Sequence, residues 1–211
     1  RVVVFDGTPH LMASGGQRVA AGSALPLYFD NPVSPTEVGA ELMAYEIGGG
    51  AFFADSNGGA TRKSSFGGNT ASGNGGGAVH KNPAARHPIY NNRYLENTAS
   101  SGGGLVIDND PSKRIAVNNV DVFGNTGGGI SIINSPEAKV ISSIVAWNEG
   151  AGVSADEASA AGSTLKWLNS YENESAYAGE LSDLTGTDGN ISADPLYKRA
   201  DLDGNPISDF L

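Results

Sequence analysis

The strongest constraint in this chain is a motif that returns five times at nearly fixed spacing: a glycine-rich triplet, a short apolar strand, then a polar turn. The copies start at Gly48, Gly75, Gly102, Gly127 and Gly150, in steps of 27, 27, 25 and 23 residues. An asparagine precedes each later copy, at Asn69, Asn97, Asn125 and Asn148, and a further one stands at Asn173. Self-similarity at such a period marks a solenoid, whose units bury their apolar faces only by stacking on one another.

After each triplet come Ala51-Phe52-Phe53, Ala78-Val79-His80, Leu105-Val106-Ile107, Ile130-Ser131-Ile132 and Val153-Ser154-Ala155. Alternate residues of a strand share a face. First and third positions are mostly apolar and are predicted to point inward. The middle residues Phe52, Val79, Val106, Ser131 and Ser154 are predicted to point out. Asp55, Asn82, Asn109 and Asn134 follow at a fixed offset, and such residues suit left-handed turns. They predict one polar ladder, the asparagines before each triplet a second, and Asn91, Asn119 and Ser142 a third polar corner. Three corners joined by short strands make a triangular coil, hence an all-β, parallel β-helix of about six coils. Helix is expected only as one turn within residues 155–160.

The ends lack the repeat. Residues 1–47 are read as an irregular N-terminal cap or side flap with a first strand at Val2–Phe5, residues 48–173 as the coils, and residues 174–211 as an irregular C-terminal segment. With no cysteine, disulfides and Cys-based metal sites are excluded. A net charge of −10 disfavours duplex nucleic acid as a partner, because a broad basic face is missing. No apolar run is long enough to span a bilayer, and the first residues do not read as a signal peptide. The start without Met and the stop at Leu211 suggest a mature or trimmed piece of something longer.

The segments FGGNTASGNGGGAV (Phe66–Val79) and YLENTASSGGGLVI (Tyr94–Ile107) resemble repeats of the pectate-lyase-like superfamily of parallel β-helices. They also resemble the GGA[ILV]/FxxN repeats of polymorphic outer-membrane proteins. Gly189–Tyr197 and Asp201–Pro206 resemble the closing segments of such proteins. The resemblance spans roughly residues 48–206. With the handedness rule for parallel crossovers, it implies a right-handed coil and a secreted or surface-attached bacterial protein. It specifies activity poorly, since the fold carries lyases, hydrolases, epimerases, adhesins and stalks alike.

Three proline-bearing loops, Lys81–Pro88, Asp108–Arg114 and Asn134–Lys139, fall on one edge by the period. Lys81, Arg86, His87, Lys113, Arg114 and Lys139 then cluster on an otherwise acidic chain, with Arg93 close by in sequence. Guanidinium forks and ammonium charges suit an acidic glycan; the plain alternative is a set of solvated loop charges. Lys81, Arg86, His87, Lys113 and Arg114 also supply the types a β-eliminating lyase needs, a base and a cation on the sugar carboxylate. Asp108 and Asp110 are carboxylates of the type a glycoside hydrolase pairs, but they also read as turn formers. Asp201, Asp203 and Asn205 resemble part of a calcium loop, with Asp183, Asp188 and Asp194 as lesser candidates. His80 is expected as a core or corner histidine. Trp147, Trp167 and Tyr171 lie near the later corners, where rings either stack on sugars or finish the core.

The expected function is an extracellular or cell-surface module that binds polysaccharide or another surface, or serves as a stalk. The alternatives are a polysaccharide lyase acting on an acidic glycan, and a subunit that stacks end to end.

Overall fold

Each repeat folds into three short strands, and each strand pairs in parallel with its counterpart one repeat later. The computed structural model describes residues 11–12, 18–19, 49–54, 60–82 and 87–197. Strands β1 (Leu11–Met12) and β2 (Arg18–Val19) form a small antiparallel pair. The first sheet stacks β3 (Ala51–Ala54), β6 (Ala78–Lys81), β9 (Leu105–Asp108), β12 (Ile130–Ile133), β15 (Ala151–Ala155) and β18 (Ser175–Gly179). The second stacks β4 (Thr61–Arg62), β7 (His87–Tyr90), β10 (Ile115–Asn118), β13 (Ala138–Ile141) and β16 (Thr164–Lys166). The third stacks β5 (Ser65–Gly67), β8 (Arg93–Leu95), β11 (Asp121–Phe123), β14 (Ile144–Ala146) and β17 (Asn169–Tyr171). The result is an all-β parallel solenoid of about five turns, closed by β18. One helix, α1 (Glu157–Gly162), sits in a loop, its N-terminus capped by Asp156 accepting from the Ser159 amide at 2.8 Å.

The core follows the alternation. Leu105, Ile107, Ile130, Ile132 and Val153 point inward from the first sheet, Ile89, Val117 and Val140 from the second, and Phe66, Tyr94, Val122 and Val145 from the third. Phe66 and Tyr94 stack with centroids 5.1 Å apart and planes within 8°. In-register stacking brings like positions together, so parallel ring stacks form naturally in such a core.

The asparagine column between the third and first sheets is continuous. Asn69 Nδ2 donates to Asn97 Oδ1 at 2.8 Å, Asn97 to Asn125 at 2.9 Å, Asn125 to Asn148 at 2.8 Å, and Asn148 to Asn173 at 2.8 Å. Each of those acceptor oxygens also takes the backbone N–H of the asparagine above it, at 2.9 to 3.1 Å. The second Nδ2 hydrogen reaches back to a carbonyl, as from Asn125 to Tyr94 O at 2.9 Å. Asn69, Asn97, Asn125 and Asn148 are buried, and desolvation makes every unmade bond costly, so the links from each to the next fix the register of the coils; Asn69 Oδ1, at the open end of the column, is left without a partner among the described residues. The residue before each asparagine turns with positive φ: Gly68, Glu96, Gly124, Trp147 and Glu172.

The glycine triplets face the next coil rather than solvent. A Cβ at Gly129 would lie 2.6 Å from Gly152 O and 3.2 Å from Asn148 Nδ2, so the repeat needs glycine and asparagine together. At Gly102, with φ +57°, a Cβ would meet Val106 Cγ2 at 2.5 Å. This close approach corrects one expectation: Val79, Val106 and Ser131 are buried, although they sit on the outer face of the first sheet. Phe52 and Ser154 are partly buried.

The other two corners are less regular. Asn91, Asn119 and Ser142 do turn left-handed, with Lys63 and Trp167 at the equivalent places. The buried polar side chain there is the following residue: Asn92 Oδ1 accepts from Ser64 N at 3.0 Å, and Asn92 Nδ2 donates to Thr61 O at 2.9 Å. At the corner between first and second sheets, Asn82, Asn109 and Asn134 do not bond one another. Asn109 N donates to Ser135 Oγ at 2.8 Å, Asn109 Nδ2 to Lys113 O at 3.1 Å, and Asn134 Nδ2 to Asp108 Oδ1 at 3.1 Å. Asp55, the first member of that set, lies outside the described residues.

Candidate functional site

Of the cations expected to form a basic edge, Lys81 and Arg114 are paired with acids, and His87 and Lys139 lie in strands rather than loops. Lys81, ending β6, reaches Asp108 on the next coil at 3.6 Å, and Arg114 reaches Glu137 at 3.2 Å. Lys113 lies beside Asp110 and adds a small electrostatic pull to a carboxyl held low mainly by hydrogen bonds from Ser112. Lys139 is exposed in the middle of β13, on the outer face of the second sheet. His87 is not in the loop at all. It opens β7, faces the core, and its Nε2 lies 3.0 Å from Thr61 Oγ1. Arg86 and the calcium candidates Asp201, Asp203 and Asn205 lie outside the described residues. Asp108 and Asp110 have structural partners, Lys81 and Asn134 for the first and Ser112 for the second. Among the described residues, no three His, Cys, Asp or Glu side chains converge as a metal site.

In the ion pairs Lys81–Asp108, Arg93–Asp121, Arg114–Glu137 and Lys166–Asp188 the cation belongs to one coil and the acid to the next. An acidic chain thus spreads its few cations along its height instead of pooling them.

Chemistry converges instead on the outer face of the third sheet. Arg93 and Asp121 open β8 and β11 in register, with Nε 3.8 Å from Oδ2. Tyr197 returns from the C-terminal segment and donates its hydroxyl to Asp121 Oδ1 at 3.1 Å. Burial pushes the Asp121 carboxyl above its ordinary value, partly offset by the Tyr197 hydrogen bond and the Arg93 charge. Burial first, and the Asp121 carboxylate second, push the Tyr197 hydroxyl far up.

Beside this trio runs an apolar row. Leu95, Phe123 and Ala146 occupy one register column on the outer face and are buried there by Ile144, Trp147, Tyr171 and Tyr197. Phe123 and Trp147 have centroids 4.8 Å apart, Trp147 and Tyr171 meet edge-on at 5.4 Å, and Tyr197 meets Phe123 edge-on at 5.4 Å. Glu172 holds two of the rings, accepting from Trp147 Nε1 at 2.9 Å and from Tyr171 Oη at 3.2 Å. Trp147 and Tyr171 remain partly accessible. Trp167 stands apart, 60% exposed at its corner and against Gly189.

Asp121, Glu172, Phe123 and Tyr197 were not singled out by sequence. The available signal was positional. The two places before each ladder asparagine gather Leu95, Phe123, Trp147, Tyr171 and Glu172, and those places are outward once the asparagine is taken as buried. Tyr197 had no such signal, because it meets Asp121 across 76 residues.

The molecule therefore falls in the class of parallel β-solenoids with a decorated outer sheet face. Comparison with protein-family models, curated proteins and solved structures found no match for this chain. Among the described residues no helix is long and apolar enough to cross a membrane.

Proposed function

We propose that the chain is a rigid β-solenoid module of a secreted or cell-surface bacterial protein, and that it binds polysaccharide on the outer face of its third sheet. The observation that carries this reading is the pair of partly accessible rings Trp147 and Tyr171, seated on buried Phe123 on an outer face, with Glu172, Asp121 and Arg93 at its margins. Rings offer flat apolar surface for the C–H faces of sugars, and carboxylates accept bonds from sugar hydroxyls. The pairing of Lys81 and Arg114 with acids favours a hydroxyl-rich glycan of low charge over a polyanion. The resemblance of the repeats to exported β-helix proteins supports the location.

A lyase is the second reading, because Arg93, Asp121 and Tyr197 place a guanidinium, a carboxyl and a phenol together. Binding is preferred because a phenol whose pKa is pushed up is a poor base near neutral pH. The test is retardation in native gels containing neutral or acidic polysaccharides, with absorbance at about 235 nm followed for unsaturated products formed by elimination. Retardation by a neutral glycan that is weakened at least about fivefold, roughly 1 kcal/mol, by Trp147→Ala supports the reading. Retardation only by polyanions, unchanged in Trp147→Ala, contradicts it.

A further inference from the structure

One column of the first sheet changes character along the rod. Phe53, His80, Ile107, Ile132 and Ala155 stack in register, so a histidine occupies a place that the next coils fill with isoleucine. His80 is fully buried, and neither ring nitrogen has a hydrogen-bond partner. It lies flat on Phe53, with centroids 4.4 Å apart and planes within 12°. His87 from β7 sits 5.1 Å away, in a column continued by Ile115 and Ala138. Two adjacent inward columns thus carry imidazoles at the same level, and later coils carry aliphatic residues there.

We propose that the His80–His87 pair makes the first turns of the solenoid an acid-sensitive segment, whose local opening becomes more frequent in mildly acidic solution while that of the later turns does not. A proton on His80 would place a charge among Phe53, Ile107 and the second imidazole, with no acceptor on either nitrogen. Around His80, β3 presents Phe53, β9 presents Ile107, and β7 presents His87, with Thr61 of β4 against His87. His87 is the one titratable neighbour acting on it among the described residues. Lys81 points out to Asp108.

Burial, and then the neighbouring His87, hold His80 well below its ordinary value of 6.5. The unfolded segment takes up its proton near 6.5, whereas the folded one stays neutral well below that pH. Over that interval the open state binds more protons, so stability is full above 6.5 and is lost as the pH falls. One such proton raises the opening constant about tenfold per pH unit within the interval.

Native-state hydrogen exchange tests this, corrected for intrinsic rates, at about pH 7.5 and about pH 5.5. Amides of β3, β6 and β7 should lose about tenfold in protection relative to those of β12 and β15 in the wild type. His80→Ile, which installs the residue used one coil later, should remove that difference. His80→Phe, after Phe53 one coil earlier, serves if the isoleucine variant fails to fold. Equal pH dependence in early and late turns, or the same local loss in the variant as in the wild type, would overturn the proposal.

Discussion

Two corners of the same coil follow opposite rules. At the third-to-first corner, one residue type is repeated and every carboxamide is joined to the next, from Asn69 to Asn173. At the first-to-second corner, Asn82, Asn109 and Asn134 stand at like positions but do not bond one another: Asn109 Nδ2 donates to Lys113 O within its own loop, Asn134 Nδ2 donates to Asp108 on the neighbouring coil, and α1 is inserted in the later loop. The first corner sets the stacking register through one residue type repeated on every coil. The second only has to turn the chain, so its loops can differ in length and charge. A column of one residue type, bonded through both backbone and side chain, is cooperative; a corner held by a different set of bonds on each coil is less so.

The largest expected effect follows from that contrast. Asn125→Ala strands the two Asn97 donors and Tyr94 O, all buried, takes from Asn148 Oδ1 one of its two donors, and should cost about 4 kcal/mol in urea unfolding. Asn134→Ala, at an exposed site with φ 52°, should cost about 1 kcal/mol. Equal losses would erase the distinction between the corners. Gly129→Ala probes the same corner from the other side. Its methyl group would press on Gly152 O, and overpacking of this kind should cost about 2 kcal/mol.

Smaller effects lie on the outer faces. Tyr197→Phe removes a hydrogen bond that lowers the Asp121 carboxyl, so this pKa should rise further, as read by carboxyl NMR, with a loss of about 1 kcal/mol. Asp121 titrates with the opposite sign to His80. Its folded value lies above the ordinary 3.8, so its own contribution to stability grows as the pH falls through that raised value. Smallest of all, Arg114→Ala should change stability by less than about 0.5 kcal/mol, because that ion pair is exposed on both sides.

Much of the fold was legible because the repeat ties each sequence position to one place in space. The period located the strands of the first sheet, the inward pairs such as Leu105 and Ile107, and the asparagine ladder, though not its burial. The outer residues were harder to place. Val79 and Val106 alternate correctly, yet they are covered, because burial depends on the glycine turn folding over them. The basic edge read as a cluster since sequence shows which loops stack but not which acid faces which cation. The Lys81–Asp108 and Arg114–Glu137 pairs need the inter-coil register. His87 was counted as a loop residue because β7 begins one residue earlier than its proline suggests. The third-sheet site depends on Tyr197, a contact that no local pattern encodes.

The central claim is that a continuous buried asparagine column holds the rod together. Side-chain amide exchange, followed by NMR, tests it most directly. The Nδ2 protons of Asn97, Asn125 and Asn148 should exchange together, at rates set by opening of the whole column, and far more slowly than those of exposed Asn134. Exchange of Asn125 as fast as that of Asn134 would contradict the account.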